Sequence, residues 1–258
     1  MKKFVISSLI LFMPLAWASA QNEPNNGDKT TPPPVELKKK KPKPKKQDLI
    51  IMNLNWNGML NQPDSMQVSP YSRGFDIALV WDIPFGRSPF SFAAGLGFSS
   101  ENIFMNSLVR DSAGGDYLYF RDIKTLINAD NPTTERDWNR YKISLAIIEL
   151  PVEFRYRMKP HKRNTFKFAA GFKVGYVISN WEKYVGPDYR LGGDLNKEVK
   201  IKEYELDGIS RLRYSAFFRI GYSRFHLTGK YDIAPFFEPG KGINTGSIVT
   251  LGFSFTPF

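Results

Sequence analysis

Beyond residue 48 the chain falls into eight stretches in which apolar and polar residues alternate with period two, the pattern of a strand with one apolar face. Ile50, Met52, Leu54 and Trp56 oppose Asn53, Asn55 and Asn57. Phe75, Ile77, Leu79, Trp81 and Ile83 oppose Asp76 and Asp82, and Phe90, Phe92, Ala94, Leu96 and Phe98 oppose Ser91, Gly95, Gly97 and Ser99. Ile148, Leu150, Val152, Phe154, Tyr156 and Met158 alternate with Glu149, Glu153, Arg155 and Arg157. Stretches 166–178, 212–222, 225–233 and 249–255 repeat the pattern, carrying Lys167, Lys173, Arg213, Arg219, Lys230 and Asp232 on their polar parity. Each stretch is close to the roughly 9–11 residues that a tilted strand needs to cross a bilayer. At Ile147 and Ile148 the apolar parity switches, which predicts a bulge or the point where the strand leaves the lipid zone.

The connections alternate as well. Residues 83–89, 159–164 and 223–224 read as short turns, whereas 58–73, 106–140, 180–211 and 238–246 are long and mostly polar. Strict alternation of short and long connections is the signature of an outer-membrane barrel with short periplasmic turns and long outer loops. The expected fold is therefore all-β, an eight-stranded antiparallel up-and-down transmembrane barrel over residues 48–258, with both termini periplasmic. Trp56, Phe85, Phe90, Tyr156, Phe166, Trp181, Tyr222 and Phe225 near strand ends fit aromatic girdles. A soluble β-sandwich is the competing architecture, because its polar face would meet water and its apolar face a second sheet. The loop alternation, the N-terminal leader and the aromatic C-terminus favour the membrane.

That leader is residues 1–20: Lys2 and Lys3, an apolar stretch to Trp17, and Ala18-Ser19-Ala20 as a small-residue cleavage site. Residues 21–47 are proline- and lysine-rich and cannot bury a core, so they are expected to form a disordered periplasmic tether. The tether holds eight lysines against three acids, or +5, and Lys2 and Lys3 add +2; of the total charge of +11, only +4 belongs to residues 48–258. A basic nucleic-acid-binding surface on the fold is thereby disfavoured. Lys38, Lys39, Lys40, Lys41, Lys43, Lys45 and Lys46 instead offer contacts to peptidoglycan, anionic headgroups or an acidic envelope protein, the alternative being a solubilising spacer. The chain has no cysteine, which excludes a disulfide framework and thiolate metal sites.

Eight strands enclose a lumen that side chains fill. Its expected lining is Asp76, Asp82, Glu149, Glu153, Arg155, Arg157, Lys167, Lys173, Arg213, Arg219, Lys230 and Asp232, five carboxylates facing seven cations. Such a set suits a plug of ion pairs; a narrow small-solute channel is the functional alternative. Catalytic chemistry is thin. The two histidines are His161 in a turn and His226 at a strand start, and no serine motif or paired-carboxylate spacing accompanies them, so a lipid-modifying enzyme using His226 is the least favoured reading. No metal-ligand spacing stands out, Gly95-Leu96-Gly97 and Gly192-Gly193 open no helix, and no cofactor is expected.

IELPVEFRYRMKP (148–160), FKFAAGFKVGY (166–176), LRYSAFFRIGYSRFHLTGKYDIAPFFEPGKG (212–242) and VTLGFSF (249–255) resemble the PorT-like, porin-family outer-membrane barrel proteins of Bacteroidota-type bacteria. Residues 48–60 and 72–104 carry the same likeness. The resemblance implies an eight-stranded outer-membrane barrel and no particular activity; some relatives are associated with type IX secretion, but nothing in these residues marks that branch. Phe255 and Phe258 differ in parity, a departure from the usual aromatic ending. The expected function is a non-enzymatic, monomeric barrel serving as a structural or interaction component of the envelope. Tyr117, Tyr119, Phe120, Trp138, Trp181, Tyr184 and Tyr189 in the long loops are either binding anchors or packing between loops.

Overall fold

The computed structural model describes residues 49–112, 117–130, 135–190, 193–241 and 245–257. The leader (1–20), the tether (21–47) with the seven lysines of 38–46, Gly192 and Phe258 lie outside the described residues.

In chain order the strands are β1 (Ile50–Leu60), β2 (Arg73–Pro84), β3 (Phe90–Phe104), β4 (Ser107–Asp111), β5 (Leu118–Asp122), β6 (Arg140–Arg157), β7 (Phe166–Pro187), β8 (Glu198–Tyr204), β9 (Leu212–Tyr222), β10 (Phe225–Asp232) and β11 (Ser247–Phe255), with one short helix, α1 (Ile123–Ile127), after β5. Eight of them close an antiparallel ring in the order β1-β2-β3-β6-β7-β9-β10-β11, with Met52 opposite Phe255 where the ring meets itself. Closure leaves these strands without an unpaired edge over their shared length. The described chain enters and leaves the ring at the end bearing the short turns, hereafter the turn end.

Outward parity on every ring strand is apolar around the middle, including Leu54, Leu79, Leu96, Leu150, Phe172, Val174, Phe218, Leu227 and Leu251, all of them exposed. From Ile148 to Met158 this belt is about 25 Å tall at ~3.3 Å per residue and a tilt of about 40°. So large a continuous apolar surface is unfavourable in water and matches the hydrocarbon band of a membrane barrel. Rings crowd the turn-end rim: Phe90 lies 5.2 Å from Tyr156, Phe166 5.2 Å from Tyr222 and Phe225 5.4 Å from Phe255.

At the opposite, loop end the convention reverses. There Ile103, Tyr141, Ile143, Leu145, Ile147, Val177 and Tyr184 point inward and are buried against Met66, Leu108, Leu118, Ile123, Ile127, Ile209, Phe236 and Phe237 of the connections. These residues form an apolar cap across the mouth. Asp122 caps α1 by accepting from Thr125 N at 2.9 Å, and Ile123 and Ile127, one turn apart, put their shared face into the cap.

The expected irregularity at Ile147–Ile148 is present as a bulge in the β6–β7 ladder, and one expectation, about the long connections, is corrected. Strand β6 keeps its own parity there, with Tyr141, Ile143, Leu145, Ile147 and Glu149 all inward; the apolar residues pass from the outward face below Ile148 to the inward face above it. The extra residue of the bulge lies across the ladder: Ala146 pairs with Ser179 and Ile147 with Val177, leaving Ile178 unmatched on β7. The long connections are also more structured than their polar composition suggested. β6 starts at Arg140, β7 continues to Pro187, and β8 adds a strand to β7 beyond the ring, pairing Trp181 with Tyr204 and Pro187 with Glu198.

Candidate functional site

Inward parity delivers the polar side chains to the lumen. Asp76, Asp82, Glu149, Glu153, Arg155, Arg157, Lys167, Lys173, Arg213, Arg219, Lys230 and Asp232 are all buried. They stack as three tiers along the barrel axis.

At the turn end Glu153 is the hub. It accepts from Arg155 Nε at 2.6 Å and from Arg219 Nη2 at 3.1 Å, while Asp82 lies 2.7 Å from Arg157 and 3.4 Å from Arg155. His226, Lys167 and the three arginines line a cavity of about 10 Å³, room for one water. The histidine thus shares its surroundings with four cations.

In the middle tier Lys173 bridges Glu149 at 2.8 Å and Asp76 at 3.2 Å. Asp76 also accepts from Ser99 Oγ at 2.7 Å and from Asn53 Nδ2 at 3.3 Å. The asparagine row of β1 joins this network through Ser254, which donates to Asn53 at 2.5 Å, and Thr250, which donates to Asn57 at 2.9 Å.

The loop-side tier contains a residue the sequence reading omitted. Glu101 is buried and bonds Lys230 Nζ at 2.5 Å, with Arg213 3.6 Å away; Arg213 also pairs with Asp232. The signal was available: the inward parity Ser91, Gly95, Gly97, Ser99 reaches Glu101 when the strand is extended by two residues. Arg213 then lies 5.5 Å from the Phe236 ring, so the topmost ion pair abuts the underside of the apolar cap. Buried side chains thus occupy successive levels of the axis, from the turn-end tier to the cap.

The cap carries one buried polar cluster of its own. Glu182, on the inner face of β7, receives Arg110 Nη1 at 2.8 Å and the Tyr141 hydroxyl at 2.5 Å, and Arg110 Nη2 donates to Tyr189 at 2.9 Å. Burial raises the Glu182 carboxyl above its ordinary range in spite of Arg110 beside it. Burial, and then the neighbouring Glu182, hold the Tyr141 phenol well above its usual value. Burial works against the Arg110 charge, but Glu182 outweighs it and raises the guanidinium.

Of the loop aromatics, Tyr184 is fully buried and meets Tyr189 edge-on at 4.9 Å; Phe120 packs against Phe237 at 5.3 Å. Tyr117 and Tyr119 are exposed. Trp138 is half-buried in a groove of about 510 Å³ on the loop side that also includes Tyr71, Phe104, Asn106 and Arg140.

Residues 50–235 match the family model described as the outer membrane protein β-barrel domain. No curated protein sequence matches the chain. Among solved structures it is similar to Ail, the attachment invasion locus protein of Yersinia pestis, in a complex with the heparin analogue sucrose octasulfate. The two share 8% identity over 80% of this chain and 93% of that one, with a TM-score of 0.33.

Proposed function

The chain belongs to the outer membrane protein β-barrel domain family, and on that premise we propose that it is a non-conducting, non-enzymatic barrel whose working surface is its folded loop cap. The observation carrying this reading is the double closure of the lumen: three tiers of buried ion pairs, then an apolar cap. A solute path would require many buried charge pairs to separate, each at a cost of several kcal/mol. The loop end, in contrast, presents Tyr117 and Tyr119 to solvent, and Tyr71 in the Trp138 groove, and exposed aromatics are favoured anchors for a partner.

In this proposal the turn end faces the periplasm and the barrel acts as a monomer in the lipid, a structural or interaction component of the envelope with secretion or assembly among its candidate settings; the resemblance of 148–160 and 212–242 to PorT-like barrels supports the envelope setting and favours no one pathway. The lysines of 38–46 then meet peptidoglycan, anionic lipid or an acidic envelope protein. Planar-bilayer recordings of folded protein test the central claim: silence is expected, and reproducible single-channel steps would replace this reading with the channel. Deleting 29–47 and capturing envelope partners tests the tail; unchanged recovery of partners and cell wall would reduce it to a spacer.

A further inference from the structure

Just beyond the belt on the loop side, the outer wall carries cations in register. Lys142 of β6 lies directly opposite Lys183 of β7, which lies directly opposite Lys202 of β8. Arg73 on β2 and Arg140 and Lys200 on the same outward parity extend the patch. Like charges facing each other across a ladder destabilise a sheet. Among the described residues none of these six cations forms an ion pair, whereas the lumen cations Arg155, Arg157, Lys173, Arg213, Arg219 and Lys230 each lie within 4.0 Å of a carboxylate. The fold therefore neutralises its buried cations and leaves this outward row uncompensated. Burial first, and then Arg140, Lys183, Arg73 and Lys202, hold the Lys142 ammonium below the ordinary lysine range.

Position and side-chain direction identify the missing counterion. The next row toward the belt is Asn102, Ser144, Trp181 and Tyr204, also in direct register. Trp and Tyr at such a boundary mark the headgroup level of a bilayer. Lys202 leans down onto that row, its Nζ 5.1 Å from the Trp181 ring, 4.4 Å from the Tyr204 ring and 2.6 Å from the Tyr204 hydroxyl. Lys142 leans the same way, donating to Asn102 at 2.5 Å. Two of the three ammonium groups are thus aimed at the membrane surface and away from bulk water.

We propose that this face binds the phosphate of a membrane lipid, with acyl chains lying along the belt beside Ile148, Tyr176 and Ile178 and the anionic headgroup seated on Lys142, Lys183 and Lys202. A phosphorylated headgroup supplies the negative charge the row lacks at the depth where the lysines point. The inference rests on the belt lying in a bilayer and not on whether the lumen conducts, so recordings of conductance leave it untouched.

The test uses the full chain in detergent and reads lipid retention by native mass spectrometry, with diphosphorylated lipid A and the same lipid stripped of phosphate as probes. Each cation is expected to contribute roughly a fivefold factor, so K142Q/K183Q/K202Q should weaken retention about a hundredfold. K183Q alone should lose about fivefold and serves if the triple variant folds poorly. R87Q/R163Q/R224Q, at the turn end, should retain lipid A as the parent does. Free of lipid, the triple variant should also resist unfolding better than the parent, because three facing charges are gone. Equal retention by parent and triple variant, equal binding of the dephosphorylated lipid, or displacement by millimolar inorganic phosphate would each overturn the proposal, the last by assigning the row to a soluble anion.

Discussion

Arg110 Nη1 lies 2.8 Å from Glu182 Oε1, a contact that ties the β4–β5 hairpin of the cap to the barrel wall across 72 residues of sequence. The hairpin pairs with no ring strand; this ion pair and the bond from Val109 N to the Tyr141 hydroxyl are its polar attachments to β7 and β6, beside bonds to the connections such as Arg110 to Tyr189 and Ser107 to Ser65. Glu182→Ala should leave Arg110 and Tyr141 without their acceptor and loosen the cap by about 1–3 kcal/mol. Limited proteolysis should then cut within 105–139, while the heat-modifiable gel mobility of the barrel stays unchanged. Loss of barrel mobility together with the cap would show that the two are one cooperative unit.

The same cluster gives the cap a pH dependence with a defined sign. Tyr141 has a folded-state pKa above its unfolded value, so its contribution is complete below the ordinary tyrosine range and is lost as pH rises toward the folded value. Glu182 is also raised, and its contribution likewise declines as pH rises from the ordinary glutamate value through the folded one. Cap protection should therefore be greatest in mild acid and fall in strong alkali. Tyr184 and Tyr189, also raised by burial, share the alkaline fall, so Tyr141→Phe should shrink it without abolishing it, as read by amide exchange in 141–147; an unaltered alkaline transition would rule out Tyr141 as a source.

Within the lumen, Glu153 serves Arg155 and Arg219 at once and is almost inaccessible to water. Glu153→Ala takes the carboxylate from buried Arg219 and leaves Arg155 with Asp82 at 3.4 Å, and should destabilise the barrel by about 3–5 kcal/mol. Urea titration in detergent micelles, followed by the heat-modifiable band, measures the shift; a midpoint equal to the parent's would mean that the turn-end tier is hydrated and loosely coupled.

The belt makes a simpler prediction. Leu150 is 54% exposed and Tyr119 is 42% exposed, so in water both would tolerate arginine. Facing hydrocarbon, Leu150→Arg should cost about 2–4 kcal/mol and lower the yield of folding into phosphatidylcholine vesicles, whereas Tyr119→Arg on the cap should have an effect within about 0.5 kcal/mol. Equal folding yields for the two variants would contradict a membrane-embedded belt.

Legibility followed the solvent. Where lipid lies outside and ion pairs inside, as along 148–157, period-two alternation alone assigns each side chain a face, because the two environments differ so sharply. Glu101 escaped because the strand was ended at Ser99, just where the apolar residue on the alternate parity gives way to Ser100. The cap escaped for a deeper reason. Ile103, Tyr141, Phe236 and Phe237 are buried by partners far away in sequence, and no local period announces such contacts. Tyr184 illustrates the ambiguity, since an aromatic in a long connection reads equally as a binding anchor or as packing until its neighbours are known. β8 did carry a trace in EVKIKEY, where Val199 and Ile201 alternate with charges, but one seven-residue stretch rich in lysine and glutamate does not outweigh a loop.

The exchange of faces at Ile147 and Ile178 also sets the draught of the molecule. Lifting the barrel would carry the Ile148 and Tyr176 rows into water, and sinking it would press Ser144, Lys183 and Lys202 toward hydrocarbon. Both displacements raise the free energy, so the barrel floats about a single waterline. The groove beside Trp138 is thereby held at a constant height above the surrounding lipid, and a partner that reaches the cap meets it at the same level on every copy.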